Sequence, residues 1–365
     1  MDPFIVFWEL TRACMLACKH CRAKAIRKRD PNELTREECF RVMDDLASFS
    51  KPMLIFTGGD PLMREDLPEI VAHASKKFRV SIAFSGTEKA NREVLEELKN
   101  AGVARIAISI DGLEETHDKF RGISGVFRKS LEVLRIAKEV GLPFQINTTV
   151  TRDNILELPE ILKLCLKLGA EMWDVFFIVP TGRAKAELMP SAQEFEDILC
   201  WLYDVRSLIN VKSSAAVHFR RIEIMRSRGE MPEVGELYWK LREKIDFGER
   251  KERSESMHRA FVTDGRGMFF ISHVGEIYPS GFLQISAGNV REKRVEEIYR
   301  NSEIFVKLRD PNNLKGKCGI CEFRSICGGS RARAYAMTGD YLAEEPCCVY
   351  RPRGKNEGKH SPSSL

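Results

Sequence analysis

Trp8-Glu-Leu-Thr-Arg-Ala-Cys14-Met-Leu-Ala-Cys18-Lys-His20-Cys21-Arg-Ala23 is the stretch from which the rest of the chain is read. Its three thiols are spaced C-x3-C-x2-C and follow the short apolar run Phe4 to Trp8, a pattern that fits a tight loop leaving the end of a strand. Three soft thiolates converging on one point suit an iron-sulfur cluster. Three ligands on a four-iron cluster leave one iron open, as a catalytic zinc site keeps one position open. A zinc knuckle or a buried thiol cluster is the alternative, although residues 22–38 supply no further Cys or His to complete a tetrahedral site.

Outward from this loop, short β-branched and aromatic runs alternate with amphipathic stretches. Strands are predicted at Phe4 to Trp8, Met53 to Phe56, Val80 to Phe84, Arg105 to Ile110, Phe144 to Val150 and Trp173 to Val179. Helices are predicted at Thr35 to Ser50, Asp66 to Lys77, Asn91 to Ala101, Gly125 to Val140 and Glu157 to Leu168. Thr35-Arg-Glu-Glu38 has the form of a capping box, and Gly102, Gly141 and Gly169 stand where helices end. Six βα units imply a parallel sheet curling one way. Eight units close a barrel in about 250 residues, so six ending near residue 190 predict a partial (β/α)6 TIM-type barrel, an α/β fold with its site at the C-terminal strand ends.

Four domains are expected: the partial barrel over 1–190, a helical connector over 191–260, a smaller Cys-rich domain over 261–351 and a disordered tail over 352–365. The Cys-rich part starts with a hairpin, Met268-Phe-Phe-Ile271 and Ile277-Tyr278 around a turn near His273-Val-Gly275.

Polar residues recur at successive strand ends. The second strand leaves through Phe56-Thr57-Gly58-Gly59-Asp60-Pro61, where two glycines let backbone approach a ligand closely. The third ends Phe84-Ser85-Gly86-Thr87 and the fourth Ser109-Ile-Asp111-Gly112, with Ser109 and Asp111 on one face. Asn147 and Thr149 share a face of the fifth, and the sixth runs out through Val179-Pro180-Thr181-Gly182-Arg183. Each residue alone also reads as a cap or a satisfied loop hydrogen bond.

The ordered series, behind C-x3-C-x2-C, resembles the radical SAM superfamily. That resemblance implies that Cys14, Cys18 and Cys21 hold a 4Fe-4S cluster whose open iron is chelated by S-adenosylmethionine (SAM). It implies SAM contacts from His20 on the adenine side, the Gly58, Gly59 and Asp60 element on the methionyl amine, Ser85, Ser109 and Asp111, Asn147 and Thr149, and the loop at Pro180. The family's element ends in Glu, and Asp60 is one methylene shorter. The implied chemistry is reductive cleavage of SAM to a 5'-deoxyadenosyl radical that abstracts hydrogen from a substrate.

The C-terminal Cys318-Gly-Ile-Cys321-Glu-Phe-Arg-Ser-Ile-Cys327, followed by Cys347-Cys348, supplies four thiolates for a second cluster, with a four-cysteine zinc site as the alternative. It resembles the SPASM and twitch extensions of radical SAM enzymes, whose Pro-x-Cys spelling selects Cys348 with Cys347 as fallback. Ser280, where a full SPASM domain has another Cys, implies one auxiliary cluster. Cys39, Cys165 and Cys200 read as core residues.

Gly328-Gly-Ser-Arg-Ala-Arg-Ala334 and Thr338-Gly-Asp340 through Pro346-Cys347 resemble the subgroup of haem d1 and alternative haem synthesis enzymes, peptide maturases and the tungsten aldehyde oxidoreductase cofactor-modifying protein. The chain starts almost at its first strand, without the N-terminal peptide-recognition domain of many peptide maturases. The expected substrate is therefore a cofactor precursor or tetrapyrrole, with a peptide as runner-up. A reductase or ferredoxin-type electron donor is implied.

Composition excludes other classes. A chain of 365 residues with 43% hydrophobic and 30% charged residues is a globular protein with a large core. Net charge +5 is too mild for nucleic acid. No apolar run approaches the roughly 18 residues of a membrane span. No secretory signal is visible, so a cytoplasmic, reducing compartment is expected, where eleven Cys serve as ligands or core residues instead of bridges. The dense basic run Lys19, Arg22, Lys24, Arg27, Lys28 and Arg29 reads as a solvated face or as a rim for an anionic substrate.

Overall fold

The computed structural model describes residues 1–247 and 262–353. All six predicted strands are present: β1 (Ile5–Thr11), β2 (Met53–Gly58), β3 (Val80–Phe84), β4 (Val103–Ser109), β5 (Phe144–Val150) and β6 (Met172–Phe177). Helices α1 (Arg36–Phe49), α2 (Leu67–Ser75) and α3 (Arg92–Asn100) link the first four strands. The crossover from β4 to β5 carries two helices, α4 (Glu114–Arg121) and α5 (Val126–Glu139), and α6 (Leu158–Leu168) precedes β6. Local chemistry sets these boundaries. Thr35 accepts from the Glu38 amide at 3.2 Å while Glu38 accepts from the Thr35 amide at 2.9 Å, so two otherwise orphaned donors are satisfied at the start of α1. The three glycines expected to close helices all have positive φ.

The parallel array is larger than the expected six strands. β7 (Val211–Ser214) pairs parallel with β6, and β8 (Met268–Ile271) pairs parallel with β1. Antiparallel β9 (Glu276–Tyr278) and β10 (Gly288–Asn289) complete the order β10-β9-β8-β1-β2-β3-β4-β5-β6-β7. The helical connector is thus corrected. Its α7 (Ala192–Val205) is followed by β7 and α8 (Phe219–Ser227), a seventh βα unit. Val211-Lys-Ser-Ser214 carries no apolar alternation and becomes a strand only through its pairing with Trp173 to Phe176. α7 lies on the sheet, with Trp201 edge-on to Trp173 at 6.0 Å. The connector's last residues, 248–260, and the expected tail from residue 354 lie outside the described residues.

The sheet has two unlike faces. In β5, Phe144, Ile146, Thr148 and Val150 are buried against helices, whereas Gln145, Asn147 and Thr149 are half-buried on the inner face. Val6, Trp8, Leu54, Phe56, Ile106, Ile108 and Ile146 form the fully buried outer layer, each contributing about 1.5–3 kcal/mol on burial. Arg183 Nε, after β6, donates to Cys18 O, after β1, at 3.0 Å. Strands five places apart in the order therefore meet at their C-terminal ends, and the sheet is curled.

Candidate active site

The loop after β1 closes on itself: the Cys14 amide donates to Ile26 O at 2.8 Å and the Ile26 amide to Arg12 O at 3.0 Å. Each of the three sulfurs receives an N–H. Cys14 Sγ accepts from the Leu16 amide at 3.3 Å, Cys21 Sγ from the Ala25 amide at 3.4 Å, and Cys18 Sγ from Arg121 Nη1 at 3.9 Å. Burial pushes the Cys14 thiol up to about 12 and the Cys18 thiol upward, and repulsion from the neighbouring thiols adds to it. Such thiols ionise when a metal replaces the proton. Among the described residues no three His, Cys, Asp or Glu side chains close around a single metal ion; a four-iron cube spreads its thiolates over separate corners.

The end of β2 is held against this loop. The Gly59 amide donates to Thr11 O at 2.7 Å and the Asp60 amide to Ala13 O at 2.8 Å. A Cβ on Gly58 would stand 2.3 Å from Thr11 O, and one on Gly59 2.4 Å from Ala13 O. The close approach expected from these glycines is therefore made first to the Cys loop. Gly59→Ala is expected to cost about 1–3 kcal/mol by overpacking and to lower the iron retained by the loop, as read by thermal melting and iron analysis. Asp60 is fully buried; one carboxylate oxygen caps the Leu62 amide at 3.1 Å and the other has no partner among the described residues. Burial pushes this acid up to about 7.

At β6, the Arg183 amide donates to Cys21 O at 3.0 Å, and a Cβ on Gly182 would lie 2.4 Å from that same oxygen. The Pro180 loop thus clamps the Cys loop from the opposite side.

Asp111 is held by protein donors at both oxygens: one accepts from the Thr149 amide at 2.7 Å and the other from Arg121 Nε at 2.7 Å. Burial alone would raise its pKa, and the Arg121 guanidinium overrides it and holds the carboxyl low. The same guanidinium reaches Cys18, so Asp111 acts on the loop through Arg121. The sequence reading missed Arg121 because it lies on α4, which carried no strand-end signal.

His20 stacks on Phe120 with ring centroids 4.2 Å apart, and burial followed by the Arg121 charge lowers it to about 3. Ser85, Ser109, Asn147 and Thr149 are half-buried. Register continues Ser109 and Asn147 into Asp174 and Lys212, which pair at 2.9 Å. That extension depends on β7 and was not foreseen.

His117 Nδ1 accepts from the Asp111 amide at 3.0 Å. Burial, then the Arg121 charge, lowers this histidine to about 4. Between pH 6.5 and 4 the unfolded chain binds the proton the folded one refuses, so stability falls as pH falls through that window. The contribution is about 3 kcal/mol. His117→Gln is expected to flatten the pH dependence of the melting temperature between pH 6.5 and 4 relative to wild type.

In the C-terminal part, Cys318, Cys321, Cys327 and Cys348 line one cavity and Cys347 does not. Burial raises Cys321 and Cys348 to about 11 and Cys327 to about 12. Cys318 Sγ accepts from the Glu345 amide at 3.3 Å, and Cys327 Sγ from the Gly329 amide at 3.4 Å. His218 also lines this cavity, a residue sequence reasoning passed over as part of the connector. Ser280 is buried and caps the Phe282 and Leu283 amides at 3.3 and 3.2 Å. All eleven Cys are free, and Cys39, Cys165 and Cys200 are wholly buried. Among the described residues, no helix is long and apolar enough to cross a membrane.

An open parallel barrel with three thiols at its first strand exit, and a second Cys group packed on its flank, defines a class of iron-sulfur enzyme. The fold is shared with SuiB of Streptococcus suis bound to S-adenosylmethionine, which superposes with TM-score 0.69 at 15% identity, over 96% of this chain and 78% of that one. Residues 8–165 match the model of the radical SAM superfamily. An AdoMet-dependent heme synthase of Methanosarcina barkeri is 42% identical over 97% of this chain and 98% of its own. A PqqA peptide cyclase of Bradyrhizobium diazoefficiens is 30% identical over 96% of this chain and 88% of its own. The chain belongs to the radical SAM superfamily. It is an enzyme, and its cofactors are a 4Fe-4S cluster and SAM.

Proposed function

We propose that this enzyme acts on a tetrapyrrole in haem synthesis. The observation that carries this is the 42% identity to an AdoMet-dependent heme synthase across nearly the whole of both chains. In this reading Cys14, Cys18 and Cys21 hold the cluster. The backbone at Gly58, Gly59 and Asp60, together with His20, Ser85, Ser109, Asn147, Thr149 and Pro180, surrounds SAM. When bound, cluster and SAM supply the electron and the strong oxidant that remove hydrogen from an unreactive carbon. The chain's own share is positional. Arg121, neutralised on one side by Asp111, places positive charge beside Cys18, where a negatively charged cofactor gains from it. Arg183 and Gly182 hold the loop carbonyls so that the sulfurs stay fixed.

Cys318, Cys321, Cys327 and Cys348 are proposed to hold an auxiliary 4Fe-4S cluster, with Cys347 outside the cavity and buried. A ferredoxin or reductase in a reducing cytoplasm is the proposed electron source. Of the basic run near the loop, Arg22 turns inward to Glu9 at 3.0 Å and Arg29 binds Glu33 at 2.7 Å. Lys19, Lys24 and Lys28 stay exposed and supply the rim for an anionic substrate.

The test is anaerobic incubation of the brown, iron-loaded protein with SAM, dithionite and either haem-precursor tetrapyrroles or short peptides. Tetrapyrrole mass loss with matching 5'-deoxyadenosine supports the proposal. Turnover of peptide alone replaces it with the peptide-maturase reading. A colourless, zinc-loaded protein removes both.

A further inference from the structure

His218 is wholly buried at the start of α8, and neither ring nitrogen has a partner among the described residues. A neutral imidazole always carries one N–H donor, and a buried donor left without an acceptor is destabilising. The ring faces Phe195 at 6.3 Å and lines the cavity of Cys318, Cys321, Cys327 and Cys348.

Two side-chain acceptors that line the cavity, Glu345 and Tyr350, are engaged. Glu345 accepts at one oxygen from the Cys347 amide at 3.1 Å and Arg333 Nη1 at 3.1 Å. Its second oxygen accepts from the Ser330 amide at 2.7 Å and Arg333 Nη1 at 3.2 Å. The Tyr350 hydroxyl is bonded to Glu322. The sulfurs of Cys318, Cys321, Cys327 and Cys348 share the cavity with His218 as further acceptors.

We propose that His218 donates its ring N–H to a sulfur of the auxiliary cluster and thereby holds that cluster's reduction potential up. The reason is electrostatic: reduction adds negative charge to the cluster, and a fixed donor aimed at sulfur stabilises the reduced form more than the oxidised one. Arg221, bound to Glu196 at 2.7 Å, and Lys317 line the same cavity and act in the same direction. His218 is a positioning residue and takes no part in the SAM site. The inference rests on the auxiliary-cluster reading.

The experiment compares full-length wild type, His218→Leu and His218→Gln, each reconstituted with iron and sulfide, by iron count and by EPR-monitored redox titration of the auxiliary cluster. In His218→Leu the reduction equilibrium is expected to shift at least tenfold toward the oxidised form, a midpoint lower by 59 mV. His218→Gln, which keeps an N–H, is expected to stay near wild type. Unchanged midpoints with full iron in both variants overturn the inference. So does loss of the cluster from both, which would make His218 a ligand or a packing residue. Loss from His218→Leu alone supports it. A wild type holding about four irons instead of about eight instead refutes the auxiliary cluster itself.

Discussion

Cys18→Ala is expected to abolish formation of 5'-deoxyadenosine from SAM and dithionite, and to lower bound iron from about eight to about four per chain. Cys18 is the thiol with the most outside support: Arg121 donates to its sulfur, Arg183 to its carbonyl. Alanine removes one of the three proposed ligands and leaves the Arg121 charge with only Asp111 to face. Full activity in this variant would refute the assignment of the loop. Arg121→Leu keeps all three thiols and removes the outer partner of Cys18 together with the counter-charge of Asp111, for which a loss of about 10–100-fold in activity or metal affinity is expected. The contrast between the two variants separates ligation from support.

Arg333→Met is expected to destabilise the protein by about 3–5 kcal/mol, read as a large fall in the thermal midpoint, and to release the iron of the proposed C-terminal cluster first. Arg333 is fully buried. It donates to Ala215 O at 2.7 Å, Phe177 O at 3.2 Å and Ile178 O at 3.3 Å while pairing with both oxygens of Glu345. One side chain thus ties the Cys-rich part to the ends of β6 and β7. Glu345 in turn fixes the amides of Ser330 and Cys347, and its own amide donates to Cys318 Sγ. Methionine leaves that carboxylate buried without its counter-charge, and burial then drives its pKa up. Arg333→Met/Glu345→Met removes the stranded charge and is expected to recover much of the midpoint, because a buried ion pair replaced as a pair is often nearly neutral. A double variant no better than the single one would show that the backbone contacts of Arg333, not the pairing, carry the effect.

The strands and the two Cys groups were legible because each is written locally. An apolar alternation such as Phe144 to Val150 needs no distant partner to be recognised, and neither does a thiol spacing of three and two residues. Hidden from local reading were contacts between residues far apart in sequence: Arg121 with Cys18, Arg333 with the ends of β6 and β7, and the cavity that His218 shares with the C-terminal thiols. The same holds for β7, whose polar residues gain their conformation from β6. Asp111 shows the cost of reading strand ends singly. Its carboxylate is paired with a guanidinium on a helix ten residues on, a contact that no strand-end pattern shows.

Taken alone, the sequence determined the parallel α/β fold, the order of its first six strands, the thiols that could serve as ligands and the reaction class. These follow from hydrophobic period and covalent spacing, which are properties of short segments. The tertiary structure decided which groups support those thiols, that the sheet grows to eight parallel strands, and which buried side chains face the second cavity. Those outcomes depend on long-range pairing and on the cost of burying a charge or donor without a partner, a cost that is set only when distant parts of the chain have packed together.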